Sequence, residues 1–255
     1  MNPIKKLIYN YGIPLVGRMC HSKNKLVNVI YYHDVVKGEG YSFMRINIDV
    51  FKCQMEYIAT HGYKTLRFDE LDDKTIKYDS KTIVIVFDDG WKSNYTEIYD
   101  MMKSLDIRYN IYLTVKEIGI NPDYLTWEQI KQMHDEGLVG FGIHTYTHPD
   151  MSDISKIDPK VEFDMADYIF REKLGYQPLD FCYPFGYYSK ESNDYIVKNT
   201  RYSRIYTSDL MYSYMQGGKV IFGRNGISNS ESFGVFKAKL KGYFNVWKII
   251  VSYIS

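Results

Sequence analysis

Eight short runs rich in β-branched and aromatic residues alternate along this chain with stretches whose apolar residues recur at three- and four-residue steps. The runs fall at 27–33, 63–68, 82–88, 108–115, 139–144, 180–185, 204–208 and 220–225. Strands that alternate with helices must be joined by crossover connections, which makes them parallel and covers both faces of the sheet. Eight such units in 255 residues predict an α/β fold, a distorted (β/α)7–8 barrel. Helices are expected around Phe51, Met55 and Ile58, around Ile98, Met101 and Leu105, and near 155–174, 189–199 and 231–254. The helix at 127–136 is signalled at both ends, by Thr126 and Gln129 in capping-box spacing and by Gly137 after its last turn.

No Pro/Gly/Ser-rich linker divides the sequence, so a single domain is expected, with a core of about 27–227 and an N-terminal extension at 1–26. In the last segment Phe236, Leu240, Phe244, Trp247, Val251 and Ile254 share one stripe of a predicted amphipathic helix. Two readings of that stripe stay open: docking on the barrel, or peripheral contact with a membrane. Thirty-two basic against 31 acidic residues give a net charge of +1, without the basic excess of a nucleic-acid binder. Cys20, Cys53 and Cys182 are widely spaced and odd in number, which argues against a disulfide framework or thiolate zinc site and for a reducing compartment. Residues 1–20 hold two lysines and a mildly apolar stretch, but Asn10, Gly12 and Arg18 interrupt it and no small-residue cleavage site follows. The segment reads as part of the mature protein, in the cytoplasm or peripheral to the inner membrane. The 26 tyrosines suit either half-buried packing or sugar-binding surfaces.

The polar residues with chemical potential cluster at the carboxyl ends of the predicted strands, where (β/α) barrels build their sites. His33-Asp34 follows the first strand, Asp88-Asp89-Gly90 the third, His144 closes the fifth, Pro184-Phe185-Gly186 the sixth, and Asp209 and Arg224 end the last two. Adjacent carboxylates at a strand end point in different directions, so one can hold a cation while the other faces a substrate. They can equally begin the next helix as caps. His144 and His148 stand at i and i+4, a metal-ligand spacing, with no Glu between them to act as base. Asp88 could supply one. The Tyr-Pro-Phe-Gly turn at 183–186 combines a fixed backbone with a following N–H donor able to face an oxyanion.

In this order, VFDDGW at 86–91, HTYTH at 144–148 and YPFG at 183–186 resemble the three motifs of the polysaccharide deacetylase family, also called the NodB-homology or carbohydrate esterase 4 family. VIYYHDV at 29–35 and YLTWEQIKQMHDEG at 124–137 extend the likeness, which covers about 27–227. The resemblance implies a NodB-like barrel that removes an N-acetyl group from a sugar with one divalent metal, zinc first, with cobalt, nickel or manganese as alternatives. Carried over by position, Asp89, His144 and His148 would hold the metal. Asp88 would be the base that deprotonates water for attack on the amide carbonyl, with the Phe185 backbone N–H and the metal stabilising the oxyanion.

Two positions depart from that pattern. Many members carry Arg where Cys182 stands, to orient the base; Arg224 is the candidate replacement. Many also use a late His to protonate the departing amine, but the six His are at 21, 33, 61, 134, 144 and 148. Asp209, a tyrosine, water on the metal or His33 would have to serve, or turnover would be slow. The leading expectation is therefore an N-deacetylase acting on an acetylated sugar or glycan precursor in bacterial envelope polysaccharide synthesis. The alternatives are a catalytically weak or inactive glycan-binding relative, and an amide or ester hydrolase with a non-sugar substrate.

Overall fold

A computed structural model describes residues 3–20, 27–38, 44–73, 75–76 and 78–247. All eight predicted strands form. In chain order the strands are β1 (Asn28–Tyr32), β2 (Asp34–Val36), β3 (Arg45–Asn47), β4 (Lys64–Thr65), β5 (Thr82–Phe87), β6 (Tyr109–Leu113), β7 (Val139–Ile143), β8 (Asp180–Cys182), β9 (Arg204–Tyr206), β10 (Tyr214–Gln216), β11 (Lys219–Phe222) and β12 (Asn225–Gly226). Ten of them make one sheet in the order β10-β11-β9-β8-β7-β6-β5-β1-β12, with β4 on β5. Apart from the β10–β11 hairpin its pairings are parallel.

The predicted strand at 220–225 is split. Its first half ladders to β9 and its second half to β1, and only Gly223 and Arg224 separate them. Three residues span at most about 10 Å, so one short segment draws the two ends of the sheet together into a distorted barrel whose ladder is interrupted there. Among elements not expected from the sequence are the β2–β3 pair and the hairpin strand β10, whereas the expected YPFG turn forms as a short 3₁₀ turn at Pro184–Gly186.

Glycines set how closely β7 approaches its neighbours. A Cβ at Gly142 would lie 2.7 Å from the Tyr112 ring and 2.8 Å from the Asp180 carbonyl, and one at Gly140 would lie 2.4 Å from Asn110 Oδ1. Asn110 needs that room. Its amide donates to the carbonyls of Leu66 (3.0 Å) and Ile85 (3.2 Å), and its oxygen accepts from Phe68 N–H (2.7 Å), which stitches the gap that opens beyond β4. The barrel interior is then filled by Tyr31, Phe68, Tyr112, Tyr206 and Phe222 with aliphatic side chains and Cys182. Eight tyrosines among the described residues are buried, at 31, 32, 99, 109, 112, 183, 202 and 206, so packing accounts for these members of the tyrosine surplus.

The capping box at Thr126 forms in both directions (3.0 and 3.3 Å). The expectation of one helix over 231–254 needs correction. The helix runs Phe233–Leu240 and stops because Gly242, at φ +68°, lets its N–H reach Lys239 and the Tyr243 N–H reach Ala238, a Schellman ending. Phe236, Leu240 and Phe244 are buried against the rest of the protein, which favours docking over membrane contact for this stripe; Val251 and Ile254 lie outside the described residues. No helix among the described residues is long and apolar enough to cross a membrane.

Replacing Gly142 with Ala should destabilise the protein by about 1–3 kcal/mol, because neither the ring nor the carbonyl it meets can move without disturbing the barrel. Denaturant titration of the variant against the parent measures this directly.

Candidate active site

The carboxyl end of β5 runs into Asp88 and Asp89, both buried. Neither caps a helix: the following short helix Ser93–Thr96 has no side-chain cap. Asp88 instead receives a two-pronged contact from Arg224, Nη1 to Oδ1 at 2.7 Å and Nη2 to Oδ2 at 3.0 Å. The guanidinium is fixed by the Thr207 carbonyl (Nε, 3.0 Å) and lies over the Tyr31 ring, 4.2 Å from its centre. The seam between β11 and β12 thus delivers the cation that Cys182 cannot supply. Cys182 is fully buried, and burial pushes its thiol far up. Burial alone would raise the Asp88 carboxyl, but Arg224, then His144 and His33, outweigh it and hold it below the usual carboxylate range. His33 Nε2 is 3.8 Å from Asp88 Oδ2.

Asp89 turns away from Asp88 because its backbone is left-handed, φ 75°. Its Oδ2 accepts from Trp91 Nε1 at 2.9 Å. Its Oδ1 is buried, receives no hydrogen bond, and faces His144 Nε2 at 3.5 Å and His148 Nε2 at 3.3 Å. The two histidines sit on no helix. HTYTH is a loop in which Thr145 (φ 64°) and His148 (φ 63°) are also left-handed, and this curl brings the imidazoles together, 4.8 Å between ring centres. His144 Nδ1 is 2.8 Å from the Cys182 carbonyl, which can only accept, so Nδ1 carries the proton and Nε2 presents a lone pair. Burial pushes this imidazole down, to about 4. A buried carboxylate oxygen and an imidazole lone pair facing each other repel unless a cation lies between them.

Asp89, His144 and His148 therefore fit a divalent metal, their donor atoms lying within 4.8 Å of one another. Three protein ligands leave a position for water or substrate, as in catalytic sites. Asp88, His144 and Cys182 also converge, but Arg224 occupies both Asp88 oxygens and the thiol stays protonated, so the first set fits better.

Glu162 escaped the sequence reading, and it holds the histidine loop in place. Buried at the start of the helical stretch after β7, it accepts the N–H groups of Tyr146 (3.0 Å) and Thr147 (2.9 Å) and the Thr147 hydroxyl (2.5 Å). An isolated Glu on a helix face carries no local sign of this role. The YPFG turn holds Phe185 at φ 56°, with its exposed ring edge-on to His148 at 4.4 Å. Asp209, after β9, accepts from Tyr188 Oη at 2.6 Å, and its carbonyl accepts Arg224 N–H at 3.1 Å.

A family model described as polysaccharide deacetylase matches residues 75–203, just over half of the sequence. The chain belongs to the polysaccharide deacetylase family. Among curated proteins, this family member is 27% identical over 169 residues to the polysaccharide-deacetylase-named YxkH of Bacillus subtilis, covering 64% of the chain and 58% of the relative. It is 27% identical over 164 residues to a Staphylococcus aureus protein named poly-beta-1,6-N-acetyl-D-glucosamine N-deacetylase, covering 61% and 54%. The matches thus span little more than half the length of these relatives. The fold is shared with a polysaccharide deacetylase from Bacillus cereus (TM-score 0.70, 22% identity, 84% of this chain and 68% of that one). It is also shared with IcaB from Ammonifex degensii (0.68, 21%, 87% and 97%).

Two outcomes are expected. If the Asp89/His144/His148 set binds an added divalent ion such as zinc, Glu162→Gln should weaken that affinity by about 10- to 100-fold, read by competition with a chromogenic chelator. In metal-free protein, His144 titrates near 4 when folded and near 6.5 when unfolded, so the unfolded state binds more protons between those values. Stability should therefore rise with pH across that window and be lost as pH falls through it, by about 3 kcal/mol for this one group; His33 is shifted in the same sense. Melting curves of parent and His144→Gln protein, taken in chelator, test this: the variant should have the flatter profile.

Proposed function

We propose that this chain is a metal-dependent N-deacetylase that hydrolyses the acetamido group of an N-acetylated saccharide used in envelope polysaccharide synthesis. The observation that carries the reading is the unpartnered Asp89 Oδ1 facing two imidazole Nε2 atoms, with an Arg-bound carboxylate at the adjacent residue. Family membership and the relatives named for poly-β-1,6-N-acetyl-D-glucosamine support the substrate class.

In this reading Asp89, His144 and His148 hold one divalent cation, zinc or another first-row metal. Such an ion polarises the acyl oxygen and makes water acidic enough to attack at neutral pH. Asp88 takes the proton of the attacking water. Its depressed pKa keeps it ionised, and the Arg224 fork fixes its plane while leaving lone pairs free, since a carboxylate offers about four acceptor sites. The Phe185 N–H, on a turn stiffened by Pro184, is the donor assigned to the developing oxyanion. The departing amine needs a proton. Asp88 can return the one it has taken, or the Tyr188–Asp209 pair can relay one in place of the family's late His.

The deciding assay is acetate release from N-acetylglucosamine oligomers with zinc or cobalt added. Asp88→Asn should lower kcat by about 100- to 10,000-fold, and Asp89→Ala or His148→Ala should abolish metal-dependent turnover. Unchanged activity in the last two would overturn the mechanism, and full glycan binding without hydrolysis under any metal would favour a silent binding protein. Arg224→Lys keeps a cation but loses the fork, so the Asp88 pKa should rise and the acidic limb of the kcat/KM profile should move to higher pH. Asp209→Asn, if that pair donates the proton, should lower kcat with little change in KM.

A further inference from the structure

Residues 3–20 form one continuous helical rod, with a π-helical turn at Ile8–Gly12 joining two α-helical pieces. One side is buried. Ile13 is enclosed with Val235, Ala238, Phe244 and Val246, the Tyr9 ring packs on Phe244 with its hydroxyl donating to Glu231 at 2.5 Å, and Gly17 lets the helix run against the Tyr243 backbone, where a Cβ would lie 1.8 Å from the carbonyl oxygen. The opposite side is also apolar, but nothing covers it among the described residues. Leu7, Tyr11, Leu15 and Met19, each four residues from the last, are 62%, 70%, 61% and 79% exposed, with Ile8 and Val16 beside them.

A solvated helix face of this kind is normally polar. Here the departure comes with a charge pattern. The 18 residues contain no Asp or Glu, while Lys5, Lys6 and Arg18 are all exposed. Lys237 and Lys241 line the adjoining groove with Tyr11, Leu15 and Arg18, so local charge is strongly positive on a protein whose net charge is only +1. Large apolar side chains on one face with basic residues at its borders make an interfacial helix, complementary to acyl chains below and anionic headgroups around them.

We propose that the 3–20 helix docks this protein peripherally on an anionic lipid bilayer. A protein partner would need polar or acidic complementarity for the flanking cations within a defined footprint; a bilayer meets both features without one. The same helix contributes Lys6, Tyr9 and Asn10 to the wall of a cavity of about 630 Å³ that also includes Tyr31, Ser208 and Gly226. Tyr31 and Ser208 touch Arg224, so the inner side of this helix, opposite the docked face, borders the carboxyl-terminal mouth of the barrel.

Vesicle co-sedimentation tests this on the full chain, with phosphatidylcholine alone and with phosphatidylcholine containing about one third phosphatidylglycerol. Binding is expected only to the anionic vesicles and should weaken as salt is raised. Each basic residue removed, in Lys5→Gln and Arg18→Gln, should lower partitioning about fivefold. Leu7→Glu combined with Leu15→Glu should abolish it, while an unchanged melting curve confirms folding, since both positions are exposed. Absent binding, equal binding to both vesicle types, or binding indifferent to these substitutions would overturn the proposal. So would sedimentation of the free protein as a dimer that the double variant dissociates, which would assign the face to a second copy of the chain.

Discussion

Arg224 enters the barrel where its hydrogen-bonded ring is interrupted, and much of the site depends on that placement. The segment carrying it changes partners, from β9 on one side to β1 on the other, within two residues. The break frees a long side chain to turn inward, over Tyr31 and onto Asp88. A buried ion pair gains little net stability over well-packed apolar residues, but removing one member leaves a charge stranded in low dielectric. The pair therefore acts as a constraint: with Arg224 present, Asp88 is ionised and oriented by the guanidinium, which leaves Asp89 and the two histidines as the set whose donor atoms best fit a cation.

The second constraint is conformational. Of the five non-glycine residues with positive φ among those described, Asp89, Thr145, His148 and Phe185 are at the site; Asp106 is elsewhere. Each such residue costs about 1–3 kcal/mol and persists only when its surroundings over-determine it. The surroundings here can be named. The Asp89 carbonyl accepts Thr114 N–H and the Thr145 carbonyl accepts Val115 N–H, extending the β6 ladder past its last strand residue. Glu162 gathers the N–H groups at the crown of the histidine loop. The strain is thus concentrated around the one carboxylate oxygen that faces both imidazoles.

Much of the architecture was legible in the sequence because parallel strands buried on both faces read as continuous β-branched and aromatic runs, and because Thr126, Gln129 and Gly137 punctuate a helix in the way local hydrogen bonding demands. What was illegible has specific causes. The C-terminal helix looked longer than it is because the apolar stripe continues past Gly242, whose left-handed turn has no periodic signature. Glu162 gave no local signal, since its partners lie about 15 residues earlier in a loop. The 3–20 helix read as an interrupted apolar stretch, because opposite faces of a helix are interleaved in sequence and only burial separates Ile13 from Leu15.

The sequence by itself determined the alternation of elements, the strand-end addresses of Asp88, Asp89, His144, His148, Phe185, Asp209 and Arg224, and the absence of any histidine beyond 148. Those are properties of order and composition, which local rules read. Only the tertiary structure decided that Arg224, 136 residues from Asp88 along the chain, forks onto it; that Asp89 Oδ1 is left facing two imidazole Nε2 atoms; and that eight tyrosines among the described residues pack in the core. These depend on where strands separated in sequence come to lie when the barrel curls, and on backbone angles that no pattern of residue types announces.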